Sequence, residues 1–285
     1  MIYSNLYNIL KIGDEFPPIV MGVINLSPES FYKGSVYQNE QEITHAARRM
    51  ITNGARILDI GARSTAPWSE KILVKEEKKR IINALTILTH SIDENIILSI
   101  DTQYREVAEE AFCIMKESNR KIIINDVSCL KTDPSMIEFI ITKDIPIILM
   151  ASRKVPGDLC TMENIRFHLN KTIKLLKKKG YNEQKIIIDP GIGHWIKKKT
   201  YNYDLNIIDS LERLRNLQKP ILVAISRKSF IGEVLHIKNP QDRLAGTLAA
   251  TAIAVYNGAH IIRTHDVDKD LFNIISVAKA IRRNE

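Results

Sequence analysis

The chain has 285 residues, 45% of them hydrophobic, and a formal charge of +8. That length allows one large domain or two modest ones. No stretch approaches the roughly 18 uninterrupted apolar residues of a membrane span, and Met1 to Leu10 has neither a basic flank nor a long apolar run, so a cytoplasmic protein without membrane attachment is expected.

Taken in chain order, short runs of β-branched and aliphatic residues predict strands near 19–24, 56–61, 96–101, 121–126, 145–150, 185–189, 220–225 and 259–264. Such near-continuous apolar runs are typical of parallel strands buried on both faces. Between them apolar residues recur at helical spacing. Ile43, Ala46, Ala47 and Met50 share one side of the segment 42–51, with Gly54 as its stop, and Ile165, Leu169, Ile173 and Leu176 repeat the pattern before Gly180. About eight β/α units in roughly 250 residues is the arithmetic of a TIM barrel, and no GxGxxG follows the first strand to suggest a dinucleotide-binding sheet. We therefore expect a single α/β domain over 1–285, a (β/α)8 barrel from about 19 to 285. Residues 1–18 form an N-terminal extension, read as a small hairpin covering the bottom of the barrel.

Charge and cysteine usage narrow the function classes. Much of the basic excess lies in Lys177-Lys178-Lys179 near a helix end and Lys197-Lys198-Lys199 in a loop. Both are read as solvated surface with a bias toward anionic ligands, and without interleaved aromatics they do not point to nucleic acid. Cys113, Cys129 and Cys160 lie far apart with no CxxC pair, which suggests neither a disulfide framework nor a zinc site.

Strand after strand ends on a side chain able to bind a ligand: Asn25, Asp59, Asp101, Asn125, Asp189, Arg227, Lys228, Arg263 and His265. Any one of these could cap a helix or anchor a turn, and Asp59 is read as structural. The set is harder to explain that way, because barrels place chemistry at the carboxyl ends of their strands. Carboxylates with an amide suit a flat heterocycle with adjacent N–H donors and acceptors, whereas Arg, Lys and His suit a phosphate. Arg263 and His265 alternate on the last strand, where barrels often hold phosphate. Asp189-Pro190-Gly191-Ile192-Gly193 is read as a tight strand exit that sets Asp189 deep in the mouth. The loops 25–34 and 61–68 are long and polar, as active-site lids are.

Together Met21-Gly22-Val23-Ile24-Asn25-Leu26-Ser27-Pro28-Glu29-Ser30-Phe31, Ser64-Thr65, Ser99-Ile100-Asp101-Thr102, Ile124-Asn125-Asp126-Val127-Ser128, Asp189-Pro190-Gly191, Ser226-Arg227-Lys228-Ser229-Phe230 and Arg263-Thr264-His265-Asp266-Val267 resemble the dihydropteroate synthase family, in that family's order. The resemblance implies a transferase of alkyl groups other than methyl. Such an enzyme joins the methylene of a hydroxymethyl-dihydropterin diphosphate to an arylamine and releases diphosphate, with Mg2+, as a homodimer. By position Asp101, Asn125, Asp189 and Lys228 would hold the pterin. Asn25, Arg263 and His265 would hold the diphosphate, with Asn25 also on the metal, and Phe31, Thr65 and Ser229 would lie near the arylamine. Catalysis would rest on Asp101, Asp189, Lys228, Arg263 and His265.

The chain departs from the family at Lys33, Arg63, Ala66, Ala151 and His194. Lys33 and Arg63 stand where acids are usual, which suggests binding of an arylamine with extra negative charge, such as a ribofuranosyl-aminobenzene phosphate of an archaeal methanopterin branch, in place of p-aminobenzoate. Two other functions remain open: a pterin-dependent methyltransferase serving a corrinoid protein, and a non-catalytic pterin-binding barrel.

Overall fold

The computed structural model describes residues 1–28, 34, 36–64, 72–193, 196 and 198–282. Among them, strands β3 (Ile19–Asn25), β4 (Ile57–Gly61), β5 (Ile97–Asp101), β6 (Ile122–Asp126), β7 (Ile147–Met150), β8 (Ile186–Asp189), β9 (Leu222–Ala224) and β10 (Ile261–Thr264) form one parallel sheet, ordered β8-β7-β6-β5-β4-β3-β10-β9. The two ends meet where Ile188 bridges Ile221 in parallel and donates its N–H to the Pro220 carbonyl at 2.9 Å, closing a barrel. Strand starts agree with the sequence expectation to within two residues. Pro146 and Pro220, which have no N–H to donate to a ladder, lie just before β7 and β9, two of the three strands that begin two residues later than expected.

Around the barrel run α1 (Glu40–Thr52), α2 (Val74–Ser91), α3 (Arg105–Glu117), α4 (Met136–Thr142), α5 (Met162–Lys178), α6 (Tyr201–Asp209), α7 (Ser229–Leu235), α8 (Leu244–Tyr256) and α9 (Lys269–Ile281). The first of these shows why the segments are helical. Asn39 caps α1 by accepting from the Glu42 N–H, and the expected stripe of Ile43, Ala46, Ala47 and Met50 is buried. Gly54, with φ +103°, lets the chain turn away from the helix end. Among the described residues no helix is long and apolar enough to cross a membrane.

Because side chains alternate along a strand, each barrel strand sends every second residue inward. The lower inward positions are apolar: Met21, Ile57, Ile97, Ile123, Ile148, Ile187, Leu222 and Ile261 pack in one cluster. Two residues further along lie Asp59, Ser99, Asn125, Asp189 and Arg263, so the interior turns polar toward the carboxyl ends of the strands. The same cluster takes in Leu6, Leu10 and Ile12 from the antiparallel hairpin β1 (Tyr3–Leu6) and β2 (Leu10–Gly13), which covers the amino-terminal end of the barrel. Asp14 fastens that hairpin: its carboxylate accepts from the Ile2 N–H at 2.7 Å, from Arg215 at 2.7 Å and from Arg282 at 2.8 Å.

Candidate active site

Asp59, on β4, is the hub of the barrel mouth. Its fully buried carboxylate accepts from Arg263 Nε at 2.6 Å, and from Asn125 Nδ2 at 3.3 Å to each oxygen. Arg263 extends the network with a 3.0 Å bond from a terminal nitrogen to Asp101. Period-2 alternation with Ile57 puts Asp59 on the inner face, where a buried carboxylate needs a charged partner. Burial, and after it the Asp59 carboxylate, push the Asp101 pKa up, while Arg263 opposes the rise. Among the described residues the buried amide oxygen of Asn125 has no hydrogen-bond partner, an unmet acceptor beside this network.

On the other side of the mouth, Asp189 Oδ1 accepts from the Gly191 N–H at 2.7 Å, in the tight strand exit expected from Pro190 and the glycines. Gly191 has φ +74°, and a side-chain carbon there would stand 3.2 Å from the Ala151 carbonyl oxygen, so glycine serves both backbone conformation and close approach. Burial raises the Asp189 pKa, with Lys228 pulling it back. Lys228 donates to the Ile192 carbonyl at 2.6 Å, and burial lowers its pKa to about 8 although Asp189 resists the fall.

His265 differs from its expected role as a cation. Its ring is buried beside Arg263, Lys228 and Arg227, and desolvation followed by these charges lowers its pKa to about 3, so the imidazole is neutral at physiological pH. Ser226 Oγ lies 3.0 Å from His265 Nδ1 and accepts from the His265 backbone N–H. With Ser226 giving its hydroxyl proton to Nδ1, the neutral imidazole would carry its own proton on Nε2. Arg227, expected in the ring of strand-end ligands, instead forms a bidentate pair with Asp266 at 2.7 and 2.8 Å and donates to the carbonyls of Pro240 and Gln241. Its left-handed φ of +56° turns the chain between Ser226 and Lys228.

Arg63 is not a free cation. Its Nε pairs with Glu77 at 2.5 Å, Glu77 is fully buried and also accepts from Thr102 at 2.6 Å, and the guanidinium lies 5.1 Å from the Tyr104 ring centroid. Half of the charge reversal expected on the first two loops is thereby neutralised within the protein. Phe31, Lys33, Thr65, Ala66 and His194 lie outside the described residues. Ser229 opens α7, next to Lys228. Asn25 ends β3, and its amide oxygen and the Asp101 carboxylate both flank Gly61, 3.7 and 3.6 Å from where a side-chain carbon would stand.

The family described as pterin binding enzyme matches residues 21–265, a span that includes both the first and the last of these strand ends. The dihydropteroate synthase of Bacillus subtilis is 35% identical over 249 residues, covering 87% of this chain and 84% of that one. The chain belongs to the dihydropteroate synthase family. Two solved dihydropteroate synthases align along almost their full length. That of Coxiella burnetii in complex with pteroic acid has a TM-score of 0.83 at 31% identity and 99% coverage of both chains. That of Xanthomonas albilineans with 4-aminobenzoic acid has a TM-score of 0.82 at 27% identity and the same coverage. Membership makes the protein a transferase built on a pterin-binding TIM barrel, as the resemblance of its motifs implied.

Proposed function

We propose that the protein condenses 6-hydroxymethyl-7,8-dihydropterin diphosphate with p-aminobenzoate, releasing diphosphate in folate synthesis. The observation that carries the pterin half is the unmatched Asn125 amide oxygen beside the Asp59–Arg263–Asp101 network. A flat ring with adjacent N–H donors and acceptors meets that oxygen, Asp101, Asp189 and Lys228 with complementary groups. The amine assignment draws on the aminobenzoate and pteroic acid held by the two solved relatives, and on Arg63 being occupied by Glu77. A phosphorylated amine would then depend on Lys33 alone.

In the reaction the methylene C–O bond breaks, a C–N bond forms, and the amine gives up a proton. The dihydropterin delocalises positive charge left at the methylene, so the protein's task is to stabilise charge on the departing diphosphate and to position the amine. Arg263, held in place by two carboxylates, supplies fixed positive charge, and neutral His265 donates from Nε2. Ser229, Phe31 and Thr65 are assigned to the amine side. Asn25 and the adjacent Asp101 offer the hard oxygens that suit Mg2+, which binds through one or two protein groups together with substrate phosphates. Bound there, the ion would neutralise leaving-group charge.

We also infer a homodimer. Ile253, Tyr256, Val277 and Ile281 are exposed together and line an apolar groove of about 470 Å³ between α8 and α9, which a second copy would cover.

The deciding assay mixes the pterin diphosphate with p-aminobenzoate, or with the ribofuranosyl-aminobenzene phosphate, under Mg2+. Diphosphate release preferring p-aminobenzoate is expected. Preference for the phosphorylated amine overturns the amine assignment, and pterin binding without diphosphate release from either amine overturns catalysis.

A further inference from the structure

Lys199 closes the triple-lysine run 197–199, a segment whose composition suggests solvated surface, yet its side chain is wholly buried. Its Nζ donates to the Gly191 carbonyl at 2.7 Å and pairs with Asp204 of α6 at 3.2 Å, and the Asp204 side chain is equally buried. Asp204 in turn accepts from the Gly193 N–H at 2.8 Å. Desolvating both members of an ion pair is costly, and an apolar pair of similar volume often serves stability as well or better. Stability is therefore a weak account of this pair.

Its contacts suggest another. Gly191 and Gly193 have φ of +74° and +130°, so the turn between them is permissive and does not define its own shape. Every residue of that turn is held from outside: Gly191 through its N–H by Asp189 and through its carbonyl by Lys199, Ile192 through its carbonyl by Lys228, and Gly193 through its N–H by Asp204. Two of these four anchors are the proposed pterin ligands themselves. Where the turn sits decides where the Asp189 carboxylate and the Lys228 ammonium point.

We propose that Lys199 and Asp204 are positioning residues for the pterin pocket, clamping the 191–193 turn so that Asp189 and Lys228 meet the pterin edge. The inference rests on the assignment of Asp189 and Lys228 to the pterin. Neither Lys199 nor Asp204 touches substrate. Their influence passes through the turn, and a small displacement of a binding group carries a large penalty.

The test measures the dissociation constant for 6-hydroxymethylpterin, the KM for p-aminobenzoate and the melting temperature in Lys199→Met and in Lys199→Met/Asp204→Asn. The single variant leaves Asp204 buried without its cation and loses stability. The double variant leaves no unpaired charge and regains most of the melting temperature. Both are expected to bind the pterin about tenfold more weakly, with the amine KM changed less than about twofold. A purely structural role would restore affinity together with stability, so a double variant with wild-type pterin affinity overturns the proposal, as does a folded Lys199→Met with wild-type affinity. Asp189→Asn is measured alongside. If it binds the pterin as wild type does, the pocket assignment is what fails.

Discussion

Replacing Asp59 tests the network at the centre of the mouth. Asp59→Asn keeps the side-chain shape but removes the charge that faces Arg263 at 2.6 Å. A hydrogen bond to a charged group contributes about 1.5–3 kcal/mol net, and a neutral one about 1 kcal/mol. Arg263 also keeps its 3.0 Å contact with Asp101. The expected loss of unfolding free energy is therefore ~0.5–2 kcal/mol. Because the Asp59 charge is the second cause of the raised Asp101 pKa after burial, its removal lets Asp101 ionise at lower pH and pair more fully with Arg263, which favours the smaller end of that range. Asp59→Leu offers no acceptor at all, leaves Arg263 with one carboxylate, and should cost ~3 kcal/mol or more, as breaking a buried pair does. Urea unfolding at neutral pH gives both values. Two variants equal to each other and within about 0.5 kcal/mol of wild type, the range of ordinary surface substitutions, would refute the view of Asp59 as the hub.

Lys228 should make pterin binding pH-dependent: its pKa is lowered from 10.5 to about 8, so the ammonium is present below that pH and lost above it. Affinity for 6-hydroxymethylpterin should fall as pH rises through 8, and a flat profile extending well above that pH would contradict a charged Lys228 in recognition. Gly191→Ala should destabilise by ~1–2 kcal/mol through left-handed backbone strain and also weaken pterin binding, whereas Gly180→Ala, with φ +82° and open space around it, should show strain alone; equal affinity losses in the two would argue against a local effect of the turn. Ile253→Glu with Val277→Glu should convert dimers to monomers in sedimentation, and a wild-type monomer at micromolar concentration would remove the dimer.

The barrel was legible because buried parallel strands announce themselves as apolar runs, and Ile57-Leu58-Asp59-Ile60-Gly61 needs only period-2 alternation to send Asp59 inward. The inward polar side chains near the strand ends are legible for the same reason. Pairings were not, since they join residues far apart in sequence: Asp59 meets Arg263, and Glu77 on α2 meets Arg63. Adjacent residues also diverged. Arg227 and Lys228 look alike in sequence, yet one left-handed φ directs the first to Asp266 and leaves the second at the mouth. A run of lysines carries a solvation signal by composition, yet the side chain of Lys199, its last member, is buried against Gly191 and Asp204.

These pairings change how the mouth must recognise an anion. Strand-end Arg, Lys and His suggest a strongly positive pocket, but Arg263 is shared between Asp59 and Asp101, Lys228 faces Asp189, and His265 is neutral. The ionic groups largely compensate one another, so a multiply charged diphosphate gains little from net potential. On the proposed reading its binding would come from directional donors, Arg263 and a neutral His265, and from the added positive charge that a divalent ion at Asn25 would bring. Preorganised donors of that kind cost no rearrangement as charge develops on the leaving group. On that reading, the same carboxylates that limit attraction for the ground-state anion would hold Arg263 where that charge develops, the arrangement expected of a site that favours departure of diphosphate over tight retention of it.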